Sequence, residues 1–205
     1  MLRQSPPAPH PKTSRPTMKG TAIVGGFRYF IERYGNAAAH EVVSRAPPDV
    51  RAQLQPNAPL LGLLGNRSYA TWFIGELVRI MGSVARRPEE EFIRELADAG
   101  LTSSLGTVNR VALRYLTSIP SLAARAPEVW RMFHDDGRLT VISCTDREYV
   151  VQVSDWATHD PVVCRLSMEA RRGLVARAGA RDVILLRDKC LTWGNDVCTS
   201  RIRWA

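Results

Sequence analysis

Cys190 and Cys198 bracket the segment Leu191-Thr-Trp-Gly194-Asn-Asp196-Val197, and the pair is the first place in this chain where residue type and spacing could do chemistry. Gly194 and Asn195 tolerate the positive φ of a tight turn, and apolar runs lie on both sides, so Asp182 to Trp204 reads as strand, turn, strand. With residues 194 to 196 as a three-residue loop, Thr192 faces Cys198, and Cys190 lies one diagonal step away on the same sheet face. The sulfurs are then neighbours without forming an ideal disulfide pair. Thiolates on adjacent strands offer two ligands to a soft metal such as zinc, and two ligands are not a site. Completing one requires Cys144, Cys164, His134 or His159 to converge, and none is spaced as in a zinc finger or ribbon. Free cysteine is usually a small buried residue, so packing within the hairpin is the first reading and no cofactor is expected. A metal or a redox pair at Cys190 and Cys198 is the alternative.

His134, in Trp130-Arg-Met-Phe-His134-Asp-Asp-Gly137, is the second candidate. A neutral imidazole in an apolar setting suffices as a haem axial ligand. The same residue beside Asp135, Asp136 and Gly137 also suits a helix C-terminus, where its donors meet exposed carbonyls, and that reading is preferred. His10, His40 and His159 have no glutamate at metalloprotease spacing, and the chain contains no G-x-S-x-G, Walker or H-E-x-x-H motif. Asp135-Asp136 reads as a turn and Glu89-Glu90-Glu91 as a helix start, so no catalytic residue is assigned. Trp72, Phe73, Tyr149, Trp156 and Trp193 are the aromatic residues placed to line an apolar cavity between helices and sheet, although an ordinary core is built of the same residues.

These side chains must be positioned by an α+β scaffold. Ile23, Phe27, Phe30, Ile31 and Tyr34 recur at helical spacing, and Gly35 supplies a stop. Further helices are expected over His40 to Leu54, broken at Pro47-Pro48, then over Ser68 to Met81, from Arg87 onward, over Leu101 to Leu116 and over Pro120 to Phe133. Leu139 to Cys144 and Tyr149 to Ser154 are rich in β-branched residues and form a hairpin around Asp146-Arg147-Glu148. Pro161 to Ala178 is helical again. The α-rich first two-thirds therefore packs on an antiparallel sheet of about four strands, ordered β-β-α-β-β along the last third.

The C-x7-C hairpin, preceded by a helix and the turn Ala178-Gly179-Ala180, resembles the close of the 4-vinyl-reductase ligand-binding domain. That domain shares a superfamily with haem nitric-oxide-binding domains and TRAPP vesicle-tethering subunits. Lys19-Gly20-Thr21, Gly25-Gly26-Phe27-Arg28, Tyr34-Gly35, Ala126-Pro127-Glu128-Val129-Trp130 and Gly137-Arg138-Leu139-Thr140 resemble an uncharacterised myxobacterial paralogous family within that group. The likeness spans residues 18 to 205. It implies a non-enzymatic sensor or adaptor module that holds a small hydrophobic ligand or a protein partner, often as a homodimer. The Tyr-x-Ser-x-Arg clamp for haem propionates in the haem-binding relatives is missing here.

The 205-residue chain, 45% apolar, suffices for one domain core. Of its net charge of +8, half lies on residues 1 to 19, where Arg3, Lys12, Arg15 and Lys19 have no acidic companions. Pro6, Pro7, Pro9, Pro11 and Pro16 fall in the same stretch, so residues 1 to 17 are expected to form a disordered basic arm with weak affinity for anionic surfaces. The remainder mixes its signs, unlike a basic groove for phosphates. No apolar run is long enough for a signal peptide or a membrane span, which makes a cytoplasmic protein the simplest expectation. The function expected is small-molecule sensing or adaptor duty, with a metal- or haem-dependent sensor or enzyme as the alternative.

Overall fold

A computed structural model describes residues 15, 17–106 and 118–205. The chain enters as a short strand, β1 (Met18–Lys19), and one helical turn leads into α1 (Val24–Arg45). Gly35 breaks the helical backbone as its place in the sequence suggests, and a second helical stretch continues beyond it. The glycine takes φ 83°, a left-handed value that glycine adopts without strain, and kinks α1 so that Ala39, Val42 and Val43 still reach the core. The Pro47-Pro48 break expected from sequence separates α1 from α2 (Pro48–Arg51).

Strand β2 (Ser68–Tyr69) pairs antiparallel with β1, Met18 opposite Tyr69, so the helix expected from Ser68 begins only at Thr71. Helix α3 (Thr71–Val84) is almost wholly enclosed, and α4 (Glu89–Gly106) carries Glu89, Glu90 and Glu91 in its first turn. The expected helix over Leu101 to Leu116 lies, beyond residue 106, outside the described residues. So does most of the basic arm. Thr17 belongs to the body: it is buried, its N–H donates to the Tyr69 carbonyl at 2.9 Å, and its hydroxyl meets that of Thr158 at 3.0 Å.

Helix α5 (Ile119–Phe133) leads through the turn at Gly137 into the hairpin β3 (Arg138–Cys144) and β4 (Glu148–Ser154). Helix α6 (Pro161–Arg177) follows, then β5 (Ile184–Lys189) and β6 (Cys198–Arg203). The expected four-stranded antiparallel sheet is present, with spatial order β3-β4-β6-β5. Helices cover one face of it, and α4 packs between α1 and α6.

The closing hairpin differs from the three-residue loop that its glycine suggested. A bulge at Asp188 shifts the register from Arg187 opposite Ser200 to Lys189 opposite Thr199. Continued by one step, that register sets Cys190 directly opposite Cys198 instead of diagonal to it. Leu191 to Trp193 form a single helical turn closed by Gly194 at φ 81°, and this turn carries Trp193 to the surface, 53% exposed, under the guanidinium of Arg187. Trp193 therefore lines no internal cavity.

The junction between β4 and α6 is pinned from several directions. Asp160 caps α6 by accepting from the amides of Val162 and Val163 at 2.9 and 3.1 Å, and Arg79 of α3 donates to it at 3.1 Å. The Thr158 amide donates to Asp136 at 2.7 Å, and the Thr71 hydroxyl bonds the Thr158 carbonyl. Gly75 makes this approach feasible, because a Cβ there would stand 2.2 Å from Asp160 Oδ1. Replacing Gly75 with alanine must push the cap off α6. We expect Gly75→Ala to lower stability by about 1–3 kcal/mol in urea unfolding, as overpacking does, and an unchanged midpoint would contradict this account of the junction.

Candidate functional site

Four segments deliver four donor side chains to one point. The β4–α6 junction provides His159, the first turn of α6 provides Cys164, the end of β5 provides Cys190, and β6 begins with Cys198. All four are buried, and their ligand atoms lie within 4.8 Å of one another. Cys190 Sγ is 3.9 Å from Cys198 Sγ and 3.8 Å from His159 Nε2. Metal–sulfur bonds of about 2.3 Å and metal–nitrogen bonds of about 2.0 Å in a tetrahedron require edges of roughly 3.5–3.8 Å. The two separations from Cys190 come close to those edges, and the set as a whole lies within 4.8 Å. A disulfide between Cys190 and Cys198 would need the sulfurs to close to about 2 Å, and all four cysteines of the chain are free.

The surroundings favour the thiolate form at Cys190. Hydrogen bonds from Cys164 and Cys198 pull the Cys190 thiol far below its ordinary range, with His159 and Thr192 adding to the effect, while Cys164 is pushed up by the same sulfur partners. Burial opposes a charge on His159, but its hydrogen bonds to Cys190 and Cys198 outweigh that and raise it to about 9. The Leu191 amide donates to Cys198 Sγ at 3.4 Å, and the Thr192 hydroxyl lies 3.0 Å from Cys190 Sγ. Sulfur in metal centres receives such donors from the outer shell.

Of the residues that sequence put forward as completing partners, Cys164 and His159 join Cys190 and Cys198. Cys144 is exposed at the end of β3, and His134 lies elsewhere. His134 caps α5, its ring stacked on Trp130 with centroids 3.9 Å apart. Trp156 meets His134 and His159 edge-on, at 5.7 and 5.0 Å, so an aromatic row joins the two histidines. Phe73 is in the core, Trp72 is half-buried beside it, and Tyr149 opens onto a cavity.

Two cavities adjoin, one among the helices and one between the helices and the sheet. One, about 150 Å³, is bounded by Ile23, Phe27, Ile74, Leu77, Met81 and Leu174. The other, about 140 Å³, reaches His134, Tyr149, Ser167 and Arg171. They share Ala22, Val129, Phe133, Leu166, Ala170 and Leu174, among others. Sequence reasoning found Tyr149 but missed Arg171 and Ser167, whose signal was a polar pair one turn apart beside the apolar stripe of α6.

Comparison with solved structures identifies the architecture. An H-NOX protein from S. oneidensis in the Fe(II)NO state aligns over 92% of this chain and 99% of its own at TM-score 0.67 and 15% identity. The unliganded Fe(II) H-NOX protein from K. algicida covers 92% and 97% at 0.65 and 11%. This chain has the H-NOX fold. An oxygen-binding H-NOX domain related to soluble guanylate cyclases, solved as its oxygen complex, also matches, over 91% and 95% at 0.62 and 13%. No family model and no curated protein matches the chain. Among the relatives that the closing hairpin resembles, the solved structures lie with the haem-NO-binding branch.

His134 supplies a direct test of the H-NOX-like interior. Burial, reinforced by Arg171, depresses it to about 3, so the folded protein keeps it neutral while an unfolded imidazole protonates near 6.5. Between those values the unfolded chain binds more protons, so stability falls as pH drops through 6.5 and this contribution levels off near 3. His134→Phe preserves the stacked ring and removes the titration. The variant should lose less stability than the wild type between pH 7 and pH 5 in urea titrations, the metal ligands being common to both. Parallel losses would contradict a buried neutral imidazole.

Proposed function

We propose that this H-NOX-fold chain is a metal-dependent sensor domain, with a Cys3His centre as its resident metal site and the neighbouring cavity as the place where a small ligand acts. The solved neighbours contain haem iron, which favours the metal- or haem-dependent reading over an adaptor. One observation carries the assignment: Cys164, Cys190, Cys198 and His159 converge, all buried, from four segments of the chain. Three thiols and an imidazole in tetrahedral array select zinc among the common metals, and a closed set of four protein ligands marks a structural rather than a catalytic site. In a reducing cytoplasm these thiols would remain available to the metal.

Haem is a poor fit to the described residues. His134 Nε2, the nitrogen that would have to be free to hold haem, meets Ser167 Oγ at 3.5 Å, and Trp130 covers one ring face. The cavities of about 150 and 140 Å³ are each smaller than the roughly 300–1,000 Å³ of sites for drug-sized ligands. His159 is committed to the sulfur cluster, and His40 is exposed on α1. The metal role thus passes to the sheet side of the fold.

A bound ion would hold the closing hairpin against α6 and fix the β4–α6 junction through His159. Because such a site does not pre-exist in an unfolded chain, its binding free energy adds to folding stability. Freshly purified protein should contain about one zinc per chain by elemental analysis. Cys164→Ser and Cys198→Ser should each remove it and lower the melting temperature, whereas Cys144→Ser should change neither. Metal-free wild type, or zinc retained by both site variants, would overturn the proposal.

A further inference from the structure

Arg171 lines the second cavity from α6, its Nε buried and without a hydrogen-bond partner among the described residues. Its neighbours on the same helix are satisfied: Arg165 and Arg172 reach Glu169 at 2.9 and 2.7 Å, and Arg172 also pairs with Asp98. No described carboxylate forms an ion pair with Arg171. The acidic groups whose field reaches it are the Tyr149 phenol and the thiols of Cys164 and Cys198. Burial disfavours its charge, yet a guanidinium does not shed its proton in a protein. A half-buried guanidinium whose Nε is shielded from solvent is stabilised by an anion that completes it.

The rest of that cavity is chemically lopsided. Ser167 and His134 line the same cavity and, sharing one hydrogen bond, leave one further donor between them, while Leu122, Ala126, Val129 and Leu139 form apolar walls. The walls continue into the first cavity through the shared residues Phe133, Leu166 and Leu174. An apolar space of about 150 Å³ accommodates a ring the size of benzene. One planar guanidinium matches a carboxylate through two parallel hydrogen bonds, and a doubly charged phosphate would leave a charge uncompensated here.

We infer that this compartment binds a slender apolar monocarboxylate, its head on Arg171 with Ser167 and His134, and its tail in the shared apolar space. The inference stands whether or not the Cys3His centre holds zinc.

Calorimetric titration of the full chain, as purified, with octanoate and with 1-octanol tests it. Octanoate should bind at least about tenfold more tightly than the alcohol, the scale of a charge-assisted pair. Arg171→Met should abolish that preference and Arg171→Lys should keep part of it. Ala170→Trp, which fills the space without touching the cation, should abolish binding of both probes. Equal affinity for acid and alcohol, no binding of octanoate by the wild type, or undiminished binding by Ala170→Trp would overturn the assignment. If Arg171→Met fails to fold, the wild-type preference and Ala170→Trp decide the matter. If the wild type shows no preference and Arg171→Met folds but loses zinc, Arg171 serves instead as counter-charge to the thiolates, and the carboxylate site is refuted.

Discussion

The short passage from β4 into α6 is the constraint on which the rest of the molecule depends. Within it Thr158 is held by Thr17, Thr71 and Asp136, Asp160 caps α6 and receives Arg79, and His159 faces three sulfurs. The first strand, the central helix α3, the turn after α5 and the closing hairpin all meet there. A Cys3His ion at this point would convert a convergence of polar contacts into a covalent-strength tie, and a bound structural zinc is worth roughly 10 kcal/mol or more in small metallo-domains.

Charge explains how the metal site and the cavity can share a helix. Three thiolates around a divalent ion leave a net charge of about −1, and Arg171 lies two turns along α6 from Cys164 with its field reaching both Cys164 and Cys198. The same cation closes the polar end of the cavity. The row Trp130, His134, Trp156 and His159 provides a second, packed connection between the two places. On the proposed reading, a ligand that shifts Arg171 or His134 would act on groups that adjoin the four donor side chains.

Much of the scaffold was legible in the sequence because local patterns carried it. The β-branched runs marked β3 and β4, the helical spacing of Val163, Leu166, Ala170 and Leu174 marked α6, and Pro47-Pro48 marked a break. The metal site was only half legible. Cys190 and Cys198 are on one hairpin, but His159 and Cys164 reach them through tertiary packing, so no fixed motif spacing exists. The bulge at Asp188 leaves no compositional trace, and without it the register places Lys189 rather than Cys190 opposite Cys198. Trp193 misled for the converse reason: an aromatic residue in an alternating run suggests an inward face, whereas a helical turn there carries it outward. The short strands β1 and β2 were missed because two residues hold no periodicity.

The central claim is that His159, Cys164, Cys190 and Cys198 share one ion. X-ray absorption at the zinc edge of the purified protein addresses it most directly. The account predicts a four-coordinate shell of three sulfurs at about 2.3 Å and one nitrogen at about 2.0–2.1 Å, with the sulfur count falling to two in Cys198→Ser if that variant retains metal. A shell of nitrogen and oxygen alone, or sulfur scattering unaltered in metal-retaining Cys198→Ser, would contradict it.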